Sequence, residues 1–235
     1  MVNGAVSHSW EHSLTTDTAY RKYDWNGDYI VSSRNEITGR GRSMRHYKRP
    51  LTIGRANLDY RLDNHHSLNL NYLLSRIGND RYDEADTDFE ASNDILAKHV
   101  TGFSYNQSLL EEKMSNTFFV KNYINHLNIR QTDLSSITGS KDVKGTITKK
   151  YWGYGIGSRY TAIEPLSIKI SYEHSVRLPL ARELLGNGTT IYANVALKPE
   201  SSDNVNLGIF GTWHPAPGHT LYYEANGFLR YVDDY

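Results

Sequence analysis

The sequence contains no cysteine, no long apolar run and no excess of charge of either sign. Without cysteine the chain forms neither a disulfide framework nor a thiolate metal site. The 26 basic residues are balanced by 26 acidic residues, so the dominant basic surface of a nucleic-acid-binding protein is missing and we expect no nucleic-acid partner. No apolar run approaches the ~18 residues of a membrane-spanning helix.

An export signal is also missing from the first residues. The start MVNGAVSHSW has no basic segment followed by an apolar core, which a secretory signal peptide would have. If the protein is exported, we therefore expect that the true beginning of the chain lies upstream of Met1.

Tyrosine is the abundant aromatic residue, with 18 copies against 6 phenylalanines and 4 tryptophans. Tyrosine suits half-buried strand positions and also the interface between lipid and water. The strands of a membrane barrel need only alternate between apolar and polar residues, so they are polar on average. Composition therefore favours β structure, but it does not separate a soluble β-rich domain from a membrane barrel.

Apolar residues recur at every second position in several segments, which is the pattern of a strand with one apolar face. In the clearest segment, Leu166, Ile168 and Ile170 alternate with polar residues. The pattern predicts ten strands, at 4–13, 19–31, 51–62, 67–78, 95–107, 115–131, 150–163, 166–176, 204–213 and 220–232. Near Ile124 the apolar set changes phase, which predicts a β-bulge there.

The predicted connections alternate in length. They are short at 14–18, 63–66, 108–114, 164–165 and 214–219, and long at 32–50, 79–94, 132–149 and 177–203. Barrels of the outer membrane have short periplasmic turns and long extracellular loops. We therefore predict an all-β fold, an antiparallel up-and-down transmembrane β-barrel whose apolar face contacts lipid and whose polar face lines a watery interior.

The long connection 177–203 has internal order. Pro179 is placed to start a short helix through LARELL, and Gly186 is placed to end it. Five charged side chains are expected to pair within the folded loop: Arg177, Arg182, Glu183, Lys198 and Glu200. We therefore predict a structured cap rather than a flexible spacer.

The same segment resembles a stretch of the barrels of TonB-dependent outer-membrane receptors, over about forty residues. In that family an Arg-x-Pro box and Glu-Leu precede Asn-x-x-Leu-Lys-Pro-Glu and a strand containing Asn and Leu-Gly. The matching residues are Arg177, Pro179, Glu183, Leu184, Asn194, Leu197, Lys198, Pro199, Glu200, Ser201, Asn204, Leu207 and Gly208. Outside this segment the sequence agrees with the family only in its general pattern.

The resemblance implies a 22-stranded barrel with a plug domain inside it, in the bacterial outer membrane. Ten strands cannot close such a barrel, so the whole of 1–235 is expected to be a partial barrel domain without a plug. The implied function is active uptake of a nutrient such as a siderophore or a glycan. The implied partners are outer-membrane lipid, lipopolysaccharide and the ligand, with TonB engaged only through the missing plug.

Two connections have opposite charge. The basic segment 34–50 offers Arg40, Arg42, Arg45, His46 and Tyr47 as candidate contacts for an anionic ligand or lipopolysaccharide, although a plain solvated loop is the simpler interpretation. The segment 79–94 is rich in Asp and Glu but lacks the glycine and closing glutamate of an EF-hand. We interpret it as an acidic loop, with a loose Ca²⁺ site as the alternative.

The sequence gives no indication of a catalytic, metal or cofactor site. His8 and His12 would lie ~13 Å apart in a strand, and no nucleophile motif accompanies the Ser, His and Asp residues. Some haem receptors of the family carry a histidine between the Arg-x-Pro and Asn-x-x-Leu boxes, and 178–193 contains none. We expect no cofactor, no metal and no enzymatic activity.

Two other functional classes stay open at this level. One is a small complete outer-membrane barrel that acts as a passive pore or an adhesin. The other is a soluble carbohydrate-binding β-domain, in which the alternating apolar residues would pack in a closed core instead of facing lipid.

Overall fold

The computed structural model describes residues 1–17, 21–23, 25–27, 29–31, 43–84, 91–133, 141–163, 165–185 and 194–233. Its elements are β1 Val2–Asp17, β2 Arg21–Tyr23, β3 Tyr29–Val31, β4 Ser43–Arg61, β5 His66–Asp83, β6 Ser92–Leu109, β7 Met114–Asp133, β8 Lys141–Ile163, β9 Leu166–Arg177, α1 Ala181–Leu185, β10 Glu200–Ala216 and β11 His219–Asp233. No helix in this part of the chain is long and apolar enough to cross a membrane.

Nine strands form one antiparallel sheet in the order β1, β4, β5, β6, β7, β8, β9, β10 and β11. Each strand of the sheet pairs with the strand that follows it in this order, as an up-and-down arrangement requires. The predicted fold class is therefore confirmed, with nine wall strands among the described residues where about ten were predicted for the chain.

The predicted strand at 19–31 and the predicted turn at 14–18 are wrong. Residues 14–17 continue β1, which pairs directly with β4. The strands β2 and β3 form a separate two-stranded hairpin, with Gly27 at a φ of 85° between them. The pair Asn26–Gly27 is a strong turn signal, and the strand prediction overlooked it. Residues 18–20, 24 and 28 lie outside the described part.

Several strands extend further toward the long connections than predicted. The first residue of β4 is Ser43 and that of β8 is Lys141, so the predicted loops 32–50 and 132–149 are too long. Short connections at 62–65, 110–113, 164–165 and 217–218 still alternate with longer ones. We call the end of the sheet at the short connections the turn end and the other the loop end.

The sheet has an apolar face whose side chains are exposed or half-buried. One row of paired residues crosses eight strands, in the order Tyr60, Leu68, Tyr105, Phe118, Ile156, Tyr172, Val205 and Leu229. On the same face Ile170 and Leu207 are 54% and 55% exposed. These side chains therefore do not form the core of a soluble domain.

The polar face carries side chains that bond to one another both along a strand and across strands. The Asn69 amide donates to Asn57 at 2.9 Å, and the Asn57 amide donates to Asp59 at 2.6 Å. Further along the sheet, Lys169 and Glu224 form an ion pair at 2.6 Å. Such a face is suited to contact with water or with other polar groups.

Not every row of paired residues on the apolar face is apolar in all strands. The row nearer the turn end contains, in order, His66, Gln107, Asn116, Ser158, Ile170 and Leu207. It is polar in β5 to β8, where the Ser158 hydroxyl donates to Asn116 at 2.8 Å. In β9 and β10 it is apolar. The apolar belt therefore lies closer to the turn end in β9 and β10 than in β5.

The predicted bulge near Ile124 is absent, because β7 keeps one continuous register with β6 and with β8. The apolar residues nonetheless change face. Phe118 and Val120 lie on the exposed apolar face, whereas Leu127 and Ile129 lie on the polar face and are buried. The apolar pattern changes phase because α1 covers the polar face at the loop end, where apolar side chains are therefore needed.

Candidate functional site

The connection between β9 and β10 contains the predicted helix. The backbone N–H of Leu180 donates to Glu183 Oε2 at 2.7 Å, just before the first residue of α1. This is one half of a capping box, in which a glutamate at the third helical position satisfies the N–H of the cap residue. The predicted end of the helix at Gly186 lies outside the described residues.

Arg177 connects this helix to the strand ends. Its guanidinium donates to Glu200 Oε1 at 2.6 Å and to Glu183 Oε1 at 3.2 Å. The N–H of Leu180 is the main cause that lowers the pKa of Glu183, and the charges of Arg177 and Arg182 add to it. Three motif residues are thus in contact across the base of the loop.

The rest of the motif follows on the way to β10. The backbone N–H of Leu197 donates to the carbonyl of Asn194 at 3.3 Å. Pro199 is buried and Lys198 is exposed. The predicted pairing of Lys198 within the loop stays a prediction.

The helix is held on the polar face of the sheet by a small apolar core. Leu184 and Leu185 are 2% exposed and pack with the fully buried Leu96 and Ile129 and with Leu127. Burial of each leucine contributes roughly 1.5–3 kcal/mol. The ammonium group of Lys98 also donates to the carbonyl of Pro179. Residues 179–185 of the loop are therefore fixed to the polar face of the sheet.

A band of buried ion pairs lies beside this core at the loop end. Arg45 and Asp83 are 3.4 Å apart, and so are Arg81 and Asp94. The carboxylates of Asp83 and Asp94 are fully buried. A buried carboxylate requires a charged or hydrogen-bonding partner, and these arginines provide it.

The band joins the two charged segments of the sequence. Part of the predicted basic loop belongs to β4, and part of the predicted acidic loop belongs to β5 and β6. The interpretation of the two segments as solvated loops is therefore wrong for Arg45, Asp83 and Asp94. The sequence contained a signal for this pairing, because Arg45, Asp83 and Asp94 lie on successive strands, β4, β5 and β6, that pair with one another.

The predicted ligand contacts of segment 34–50 do not all meet. Arg45 and Tyr47 lie on the polar face near Arg81, and both are largely buried. His46 lies on the opposite face, where it stacks on Tyr82 at 4.5 Å and its Nδ1 lies 2.9 Å from a ring nitrogen of His12. Arg40 and Arg42 are outside the described residues.

Arg49 was not predicted as a contact, yet it lies on the same face as Arg45. Its Nε donates to Asn79 Oδ1 at 3.4 Å. Every second residue of β4 from Arg45 to Arg49 therefore points to the polar face, a period-two pattern that the sequence itself contains.

Within the described ranges, no group of three or more His, Asp or Glu side chains is arranged to hold a metal ion. His8 bonds to the hydroxyl of Thr52 at 2.9 Å. The site at the loop end is thus made of a docked helix, an ion-paired band and the polar face between them. These features suit binding.

The sheet is an open section of an up-and-down wall with one lipid-compatible face and one polar face, which defines the class of β-barrel membrane proteins. The sequence matches the family described as TonB dependent receptor-like, beta-barrel, over residues 7–235. The chain belongs to this family, and the predicted resemblance is confirmed.

Solved structures of similar fold agree. The copper transporter OprC matches with a TM-score of 0.68 at 12% identity, over 100% of this chain and 36% of that protein. A double mutant of the Serratia marcescens hemophore receptor HasR, in complex with its hemophore HasA and heme, matches with a TM-score of 0.52 at 12% identity, over 99% of this chain and 41% of that protein. At this identity the likeness shows the fold alone.

The chain thus spans between a third and a half of the length of these two solved structures. No curated protein sequence matches it.

Proposed function

We propose that the chain forms part of the barrel wall of a receptor in the bacterial outer membrane that takes up a scarce nutrient actively. The ligand would be a siderophore, a glycan or a similar molecule. Residues 1–235 would act as one partial barrel domain. TonB would supply energy through a plug contributed by the rest of the receptor, and no step of the function requires catalysis by this chain.

The observation that carries the proposal is the division of the sheet into two faces. Ile170 and Leu207 are exposed on one face, while the amides and carboxylates of Asn57, Asp59 and Asn69 bond to one another on the other. Exposed apolar rows of this extent are costly in water and favourable in lipid. A soluble carbohydrate-binding domain would bury them.

The loop end would face the outside of the cell, because the longer connections lie there. We propose that the motif residues from Arg177 to Glu200 position a fixed loop over the polar face, and that Arg45 and Tyr47 contribute to the wall around the ligand. His46 is left out, since it lies on the lipid side. Lipid would contact the apolar belt, and lipopolysaccharide would contact the outer side of the loop end.

The experiment compares three strains: wild type, one lacking the receptor gene and one lacking TonB. Growth is measured with each of a panel of ferric siderophores as the sole iron source, and with each of a panel of glycans as the sole carbon source. We expect at least one nutrient on which both deletions stop growth, with growth restored by a plasmid copy of the receptor.

The same experiment separates the alternatives. A passive pore would give a defect in the receptor deletion that TonB deletion does not reproduce. An adhesin or a soluble binding domain would give no nutrient-specific defect. Recovery of the protein outside the outer-membrane fraction would contradict the proposed location.

A further inference from the structure

A cavity of about 490 Å³ opens on the apolar face of the sheet, at the loop end of β8 and β9. Its lining includes Trp152, His174 and Val176. These residues alternate along the same strands with the paired residues Ile156 and Tyr172 of the exposed apolar row, so they share that face. The cavity is therefore on the outer side of the wall, separate from the polar face that carries α1.

The cavity forms where two neighbouring strands separate. The pairing of β8 with β9 ends at Tyr154 and His174, although β8 continues to pair with β7 toward the loop end. The exposed Lys198 and the buried Pro199, which precede β10, close the gap. The guanidinium of Arg177, bonded to the first residue of β10, fixes the adjoining strand ends. The walls are therefore in place before a ligand binds.

The outward side chains of β8 change character in order along the strand. From the turn end they are Ile156, Tyr154, Trp152, Lys150 and Thr148. Trp152 and Tyr154 are 59% and 50% exposed. Tryptophan and tyrosine are enriched where hydrocarbon meets polar headgroups, and lysine reaches from that level toward water. The cavity therefore lies at the level of the lipid headgroups.

Two cationic groups border the cavity. Lys150 is exposed two positions beyond Trp152, and among the residues that the structure describes its ammonium group has no ion-pair or hydrogen-bond partner. Lys198 lines the cavity itself. Ammonium groups bind phosphate oxygens through charge-assisted hydrogen bonds. The edge of the cavity is therefore suited to a phosphate group.

Groups that bond to hydroxyls lie beside these cations. Asp203 accepts from the Tyr172 hydroxyl at 2.7 Å and lies 2.9 Å from His174 Nδ1. Ser201 also lines the cavity, and it pairs with Asp233 of β11 on the same face. Carboxylate, imidazole and hydroxyl groups bond to the hydroxyls of sugars, whereas the two carboxylates repel a ligand that is only an anion. A ligand with both phosphate and sugar groups therefore fits best.

We propose that this cavity binds the phosphorylated sugar headgroup of an outer-leaflet glycolipid, as in the lipid A part of lipopolysaccharide. A phosphate group lies between Lys150 and Lys198, a sugar ring covers the indole of Trp152, and the acyl chains extend past Ile156 along the apolar face. The proposal deepens the proposed function, on which it rests, by assigning residues of the wall to one lipid. A glycerophospholipid is less suitable, because it has no sugar ring to cover Trp152.

The test detects lipid in the cavity itself. The variant Val176→p-benzoylphenylalanine of the intact receptor that contains this chain carries a photoreactive group in the lining. The purified, delipidated receptor is titrated with lipid A, or with the same lipid after removal of its phosphate groups. Cross-linked protein is measured by mass spectrometry after illumination. We expect lipid A to reach half-maximal cross-linking at a concentration at least about tenfold lower than the dephosphorylated lipid. The same group at Ile170, in the apolar belt, should not distinguish the two lipids.

Four substitutions, each combined with the photoreactive group at residue 176, sharpen the test. Lys150→Gln should raise the half-maximal concentration of lipid A about tenfold, and Lys198→Gln should raise it as well. Neither should change cross-linking of the dephosphorylated lipid. Trp152→Leu should weaken binding of both lipids. Lys149→Gln removes the same charge from the polar face, where Lys149 pairs with Asn125, and should change neither.

Equal half-maximal concentrations of the two lipids at residue 176 would overturn the inference, as would a Lys150→Gln variant that behaves like the wild type. Competition by millimolar inorganic phosphate would show a general anion site, and equal cross-linking of phosphatidylglycerol would show a general site for anionic lipid. Either result would also overturn it. If Lys198→Gln disturbs the loop, Lys150→Gln decides alone, because Lys150 is exposed on a continuous strand.

The outcomes for the lipid site and for nutrient uptake can be told apart. Loss of the preference for lipid A with TonB-dependent growth intact refutes the inference alone. The preference without TonB-dependent growth refutes the proposed uptake alone.

Discussion

In β6 and β7 the apolar residues lie on one face of the sheet in the half nearer the turn end, and on the opposite face in the half nearer the loop end. Toward the turn end, Phe103, Phe118 and Val120 are exposed on the apolar face. Toward the loop end, Leu96 and Leu127 are buried on the polar face. The backbone register does not change between the two halves, so the difference lies in what covers each face.

The sheet as a whole is therefore adapted to two surroundings. We call the half of the sheet nearer the turn end the first half and the half nearer the loop end the second half. In the first half the cover is lipid by our proposal, and it requires only that the outward side chains be apolar. In the second half the cover is α1, which is part of the same chain and packs specifically on Leu96 and Ile129. Substitutions in the two halves should therefore affect different properties, membrane insertion in the first half and docking of α1 in the second. Three substitutions test this.

The largest effect is expected on the apolar face of the first half. Ile170→Arg should reduce insertion of the intact receptor by about 2–4 kcal/mol, because a basic side chain near the middle of the bilayer is costly there. Ser171→Arg places the same group on the polar face and should be tolerated. The measurement is the folded fraction in outer membranes, from the heat-modifiable mobility of the barrel in electrophoresis. Equal yields of the two variants would reverse the assignment of the faces.

A smaller and more local effect is expected in the second half. Leu184→Ala should weaken docking of α1 by about 2 kcal/mol, at the lower end of the range for buried leucine because a loop relaxes more easily than a strand. Hydrogen exchange should become faster in 178–185 while the amides of β7 stay protected. Leu207→Ala, on the exposed face, is the control and should leave exchange in the loop unchanged. Faster exchange throughout β7 would show that the helix and the sheet are not separate units.

The smallest effect is expected at the helix cap. Glu183→Gln should weaken docking of the loop by about 1 kcal/mol. Since the pKa of Glu183 is lowered in the folded loop, the wild-type contribution is fully present above the ordinary value of 4.5. It is lost as the pH falls through the lowered value.

Proteolysis of 178–185 between pH 7 and pH 3 checks the prediction. Acid should increase cleavage of the wild type, and the Glu183→Gln variant should lose most of this dependence. Arg182→Gln is the matched control, because Arg182 acts on Glu183 only through its charge and should leave most of the dependence in place.

The first half could be predicted from the sequence because its surroundings are uniform. Wherever lipid covers one face and polar groups the other, hydropathy alternates with period two, as around Ile168 and Ile170. The order and pairing of eight wall strands followed from this pattern. The helix at Pro179 could be predicted because proline and the capping glutamate act locally.

The second half could not be predicted in the same way. Both faces of β4 are mainly polar between Ser43 and Arg49, as in Arg45 and His46, so the hydropathy pattern begins only at Leu51, after the strand has already started. The change of face near Ile124 was interpreted as a bulge because its cause, α1, is about sixty residues distant in the sequence. The segment 19–31 contains apolar residues that suggested a wall strand, although Asn26–Gly27 divides it.

The drift of the apolar belt along the sheet determines how the strands stand in the bilayer. Leu70 in the belt of β5 is in the same row as Asp203 of β10, but the belt of β10 is centred near Ile209, about six residues and ~20 Å farther along the strand. Five steps between neighbouring strands move sideways by about 24 Å at ~4.8 Å each. A hydrophobic layer of constant height therefore requires the strands to lean by roughly 40° from the membrane normal, an inclination that closed barrels share.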